Sequence, residues 1–77
     1  MSEKLSLVIA FDATSDAFAA EDVFRQNKLS GRLIPLPESI SAGCGLAWRA
    51  EPTLEKELIS ALKSIDITSA HIYYLIL

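Results

Sequence analysis

Arg32-Leu33-Ile34-Pro35-Leu36 and, across residues 37–44, Gly45-Leu46-Ala47-Trp48-Arg49-Ala50 decide the fold. Each is a short apolar run bounded by glycine or proline, which is the signature of a strand. Pro35 has no N–H to give to a ladder, so the first of the two belongs at a sheet edge. The connecting segment is too long for a tight hairpin and carries the only cysteine, Cys44, between Gly43 and Gly45.

Helical patterns flank this pair. Upstream, Ala17, Ala20, Val23, Phe24 and Asn27 recur at helical spacing, and Asp12-Ala13-Thr14-Ser15-Asp16 offers several N-cap oxygens. A first helix is expected over residues 16–27. Its exit, Asn27-Lys28-Leu29-Ser30-Gly31, suits a left-handed residue at Asn27 or Lys28 with Leu29 folding back onto the last turn. Downstream, Pro52 suits the first turn of a second helix, with Glu51 or Thr53 as cap and Leu54, Leu58, Ala61, Leu62 and Ile65 as one apolar stripe. The chain opens with Leu5-Ser6-Leu7-Val8-Ile9-Ala10-Phe11, which places Leu5, Leu7, Ile9 and Phe11 on one side of a strand. It closes on residues 67–77, rich in β-branched and aromatic side chains, as a last strand.

Strand, helix, two strands, helix, strand is the split βαβ pattern. Right-handed crossovers then give an α+β, ferredoxin-like domain: a four-stranded antiparallel sheet in the order 4-1-3-2, with both helices on one face. The Pro35 strand falls at an edge, as its missing donor requires. One end of the sheet collects Asp12, Thr14, Ser15, the Cys44 loop and residues 66–69.

With 77 residues there is room for a single domain, and a chain this short buries only about 60% of its unfolded surface. Its core must be dense in apolar residues, which the 51% hydrophobic content allows. A lone cysteine forms no internal disulfide, and no basic segment followed by an apolar stretch and a cleavage site opens the chain, so a cytoplasmic location is expected. The apolar runs fall short of the ~20 residues of a membrane-spanning helix. Seven basic residues against ten acidic ones, for a net charge of −3, make nucleic acid a poor partner.

Among chemically capable residues, Cys44 stands out. Two flanking glycines let the backbone turn sharply and be approached closely, and the predicted start of the first helix favours a thiolate, the form that attacks or carries sulfur. Asp12 and Asp16 oppose it. The alternative is a small apolar residue at the start of the third strand, since free cysteine is often buried. His71 starts the last strand at the same sheet end, but the first strand intervenes, and adjacent strands sit about 4.8 Å apart. A solvated or hydrogen-bonded surface histidine is expected rather than a Cys–His pair. One cysteine and one histidine fall short of the usual zinc ligand set, so neither metal nor cofactor is expected. Arg32 and Arg49, at the opposite sheet end, read as solvated strand ends, and Trp48, Tyr73 and Tyr74 as core or interface residues.

Arg32-Leu33-Ile34-Pro35-Leu36-Pro37, followed by Ser41, Cys44-Gly45-Leu46-Ala47 and Arg49, resembles the selenium/sulfur carrier-like family of small domains. The resemblance extends over nearly the whole chain, and its specific part is the Pro-x-Pro-x-x-x-Ser-x-x-Cys-Gly centre. It implies a ferredoxin-like domain whose single cysteine carries sulfur or selenium as a persulfide or selenosulfide, a carrier rather than an enzyme. Only Cys44 carries over as the working atom. The exit at residues 28–31 is less regular than the family's glycine-containing turn, and Glu51 stands where a better N-cap is usual.

Two functions follow. In the first, Cys44 accepts a chalcogen atom from a donor protein and hands it to an acceptor, with Ser41, Gly43 and Gly45 of the loop and Thr14 and Ser15 of the adjoining turn supporting the anion. In the second, the domain is a ligand-sensing or protein-interaction module and Cys44 is structural. In either case Val8 and Ala10, on the sheet face away from the helices, and the two-sided apolar run at residues 72–77 suggest a covered face. A homodimer through that face is expected.

Overall fold

The computed structural model describes residues 4–40 and 43–77. β1 (Leu5–Ala10), α1 (Thr14–Gln26), β2 (Arg32–Pro35), β3 (Leu46–Ala50), α2 (Glu55–Ser64) and β4 (His71–Ile76) follow one another in the expected order, with a 3-10 turn at Pro52–Leu54 leading into α2. The strands form one antiparallel sheet in the order β2-β3-β1-β4, the 4-1-3-2 arrangement read from the other edge. Pro35 lies on edge strand β2. The domain is ferredoxin-like α+β. Among the described residues no helix is long and apolar enough to cross a membrane.

The helices start differently from the expectation. α1 begins at Thr14, ahead of Asp16, because the first helical bond runs from the Ala17 N–H to the carbonyl of Ala13, whose backbone is extended. No side chain caps it, and Asp16 instead lies inside the first turn, where its carboxylate meets the positive end of the helix dipole. Glu51 and Thr53 likewise cap nothing: Pro52 opens the 3-10 turn, and Leu54 precedes α2 without a side-chain bond. The stripe of α2 buries Leu58, Ala61 and Leu62, whereas Ile65 falls past the helix end and is exposed.

Both helices end alike. The Leu29 N–H reaches back to the Phe24 carbonyl and that of Lys28 to Arg25, while the Ile67 N–H reaches Leu62 and that of Asp66 reaches Lys63. Each is a Schellman arrangement, with an apolar residue, Leu29 or Ile67, folded onto the core behind a left-handed one. The left-handed residues are Lys28 and Asp66, at φ 58° and 60°.

The sheet has two apolar faces. Leu7, Ile9 and Phe11 of β1 and its extension lie with Trp48 and Ala50 under the helices, against Ala17, Ala20, Phe24, Leu58 and Leu62. The Trp48 indole meets the Phe24 ring at 5.0 Å between centroids, tilted by 52°. Gly31 makes room for it, since a Cβ there would come within 2.5 Å of the indole nitrogen. On the opposite face Val8, Ala10 and Ala47 are buried with Ile40, flanked by Ile34, Leu36, Tyr73 and Leu75. Val8 and Ala10 are therefore already closed off within a single chain, which removes them from the argument for a homodimer through this face and leaves only the apolar run at residues 72–77. The exposed apolar side chains Leu5, Tyr74 and Ile76 alternate with that set and so belong to the helix-side face of the β1–β4 edge.

A left-handed conformation costs a side-chain-bearing residue ~1–2 kcal/mol, and glycine gives back ~0.4–1 kcal/mol through the unfolded chain. Lys28→Gly and Asp66→Gly are each expected to stabilise the domain by about 0.5–1 kcal/mol in urea unfolding. An unchanged or lowered midpoint would show that the side chains matter more than the backbone conformation.

Candidate functional site

The loop between β2 and β3 starts with a reversal in which the Ile40 N–H bonds the Pro37 carbonyl at 2.9 Å, and the Leu36 N–H closes its base on the Gly45 carbonyl at 2.8 Å. Ile40, the one large apolar residue between Pro37 and Cys44, turns inward to Val8, Ala10 and Ala47. Ser41 lies outside the described residues. The chain then meets the end of β1, where the Cys44 N–H donates to the Phe11 carbonyl at 3.1 Å.

Gly43 is needed at that contact for two reasons. Its φ is +38°, and a Cβ would fall on the Phe11 carbonyl oxygen and 2.7 Å from the Asp12 Cα. Gly45, at φ +81°, has open space where its Cβ would be, so only the backbone conformation calls for glycine there. The two residues flanking the cysteine thus do different work: one lets the loop dock on β1, and the other turns it into β3.

Cys44 itself is half-buried and free. Its side chain rests against the core beneath the helices, with Sγ 4.0 Å from the Leu46 carbonyl, a weak contact. The thiol is neither sealed in nor fully presented. Thr14 and Ser15 open α1 just beyond Asp12 and are exposed, and among the described residues no hydrogen bond joins either hydroxyl to Cys44.

His71 occupies the same sheet end, opposite Ala10 in the ladder. Its Nε2 lies 3.2 Å from an Asp12 carboxylate oxygen, with both side chains about half exposed (51% and 50%). Histidine is thus a hydrogen-bonded surface residue, paired with aspartate. Among the described residues no group of three potential metal ligands comes together. Trp48 is core, Tyr73 is half-buried and Tyr74 is exposed.

The reading of Arg49 as a solvated strand end is corrected. It is half-buried, its Nε donates to Ser6 Oγ at 3.2 Å, and its Nη2 donates to the Leu77 carbonyl at 3.4 Å. The signal in the sequence was Ser6, a hydroxyl inside an apolar strand, which sits on the face of β1 that Arg49 crosses.

Replacing Gly43 by alanine combines left-handed strain with a backbone clash and is expected to cost about 3 kcal/mol of stability. Gly45→Ala carries only the strain, about 1 kcal/mol. Chemical denaturation of the two variants checks this ranking, and equal losses would mean that Gly43 does not dock the loop on β1.

Comparison with curated proteins and with solved structures returns no match. A family model described as "Putative Se/S carrier protein-like" matches residues 6–74, a span that includes all but the first residue of β1, the docked loop with Cys44, and most of β4. The chain therefore belongs to the Se/S carrier protein-like family.

Proposed function

We propose that the domain carries sulfur or selenium on Cys44, taking the atom from a donor protein and passing it to an acceptor. The observation that carries this reading is the placement of the sole thiol: half-exposed, flanked by glycines, on a loop whose backbone is pinned to the end of β1. Family membership gives the direction of the chemistry.

Loading is a thiol exchange with no net oxidation. The Cys44 thiolate attacks the terminal sulfur of a donor cysteine persulfide. A new S–S bond forms on Cys44, the donor S–S bond breaks, and the donor cysteine leaves as a thiolate with the electron pair. With a terminal selenium atom the same step leaves an S–Se bond on Cys44. Unloading repeats the exchange toward an acceptor nucleophile. In this reading Gly43 and Gly45 keep side chains away from the incoming donor. Thr14 and Ser15, at the same sheet end, supply hydroxyls to the terminal anion, and Ser41 is a further polar candidate from the loop sequence.

A second reading, in which the domain is an interaction module and Cys44 is a packing residue, draws on the contact of Cys44 with the core beneath the helices. The two differ in a measurable way. Reduced protein treated with a small-molecule persulfide such as glutathione persulfide is expected to gain the mass of one sulfur atom, reversibly with dithiothreitol, and Cys44→Ser is expected to gain none. Cys44→Ala is expected to lose less than about 1 kcal/mol of stability. Absence of the adduct, together with a larger loss of stability in Cys44→Ala, would favour the packing role.

A further inference from the structure

The end of the sheet opposite Cys44 holds an open cleft of about 320 Å³, near the lower limit for small-ligand sites of ~300–1,000 Å³. Lys4, Ser6, Ser30, Arg32, Arg49 and Glu51 contribute its polar side chains. Three cations therefore meet one carboxylate, in a chain whose net charge is −3.

Arg32 and Arg49 are direct partners in the β2–β3 ladder. Like charges placed opposite each other on antiparallel strands destabilise a sheet. Among the described residues no Asp or Glu side chain lies within ion-pair distance of Lys4, Arg32 or Arg49; the close pairs are Arg25–Glu21 and His71–Asp12. Arg49 is also held in place. Ser6, 5% exposed and the only buried polar residue of the described chain, accepts from its Nε, and the Leu77 carbonyl accepts from Nη2. These bonds fix the guanidinium plane and leave N–H groups for another acceptor. A guanidinium fork held in one orientation suits an oxyanion with two oxygens in plane.

We propose that this cleft is a binding site for a small dianion of the phosphoryl class, gripped by Arg49 and Arg32 with Lys4 at the rim. Three cationic side chains against the one acidic side chain of the lining suit such a group. The site lies across the length of β1 from Cys44 and is independent of whether Cys44 carries a chalcogen.

The test is a titration of the full chain with inorganic phosphate at constant ionic strength, followed by ¹H–¹⁵N correlation spectra. Saturable shifts are expected at the amides of Ser6, Gly31, Arg32 and Arg49 and at Arg49 Nε–H. Arg32→Gln, an exposed edge-strand change, is expected to weaken binding by about tenfold, and Arg49→Lys, which keeps the charge but loses the fork, by a similar factor. Should Arg49→Lys disturb the fold, Lys4→Gln reads the same site from its rim. Shifts that stay linear or spread equally to Lys28, Lys56 and Lys63 would overturn the proposal. So would undiminished affinity in Arg32→Gln, or acetate binding as tightly as phosphate.

Discussion

β1 is buried from both sides, and the rest of the architecture answers to that. Five successive residues, Leu7, Val8, Ile9, Ala10 and Phe11, are 0–1% exposed. Side chains alternate across a strand, so a run of this kind needs cover above and below the sheet. Each of the larger side chains is worth ~1.5–3 kcal/mol when removed from water, enough that exposing one face would threaten a domain of this size. The two crossover helices cover Leu7, Ile9 and Phe11. Among the described residues no third helix lies over Val8 and Ala10, which are covered by Ile40 and the flanking side chains Ile34, Leu36, Tyr73 and Leu75.

That second cover explains where the cysteine sits. The β2–β3 loop folds back so that Ile40 reaches the sheet, and the chain must then return to the end of β1 before entering β3. Gly43 lets it pass against the Phe11 carbonyl, and Cys44 follows with its N–H bonded to the same carbonyl. The thiol's position is therefore fixed by the packing of the central strand. A residue placed in this way has its backbone bonded to β1 while its side chain is half-exposed, an arrangement that suits the proposed carrier thiol.

The element order, the edge position of Pro35 and the turn at Lys28 were legible because each depends on local chemistry: alternation, a missing donor, an exit next to an apolar residue. Helix starts were less so. The stretch with the most capping oxygens, residues 12–16, is capped by none of them, because the extended backbone at Ala13 sets the first helical bond. The cover over Val8 and Ala10 was hidden for a different reason. Its main piece is one isoleucine in a polar loop, and nothing in the spacing of Ile40 shows that the loop turns inward. A partner chain was expected over Val8 and Ala10, which the protein's own Ile40 covers. Cys44 was recognisable from its flanking glycines, but its half-burial depends on Leu46 and the helix-side core. Arg49 was misread because its partner Ser6 is 43 residues away in sequence.

The two ends of the sheet differ in chemistry. One carries the thiol and the Asp12–His71 pair, and the other gathers Lys4, Arg32 and Arg49. At the first, a carrier role requires that Cys44, half-buried here, be presented by the folded domain rather than stored within it. The most direct measurement is the rate of Cys44 alkylation by iodoacetamide across a urea series below the unfolding transition. A presented thiol reacts in native buffer at a rate nearly independent of urea, whereas a rate that climbs with the population of unfolded chain would place the thiol inside the structure and contradict the carrier role.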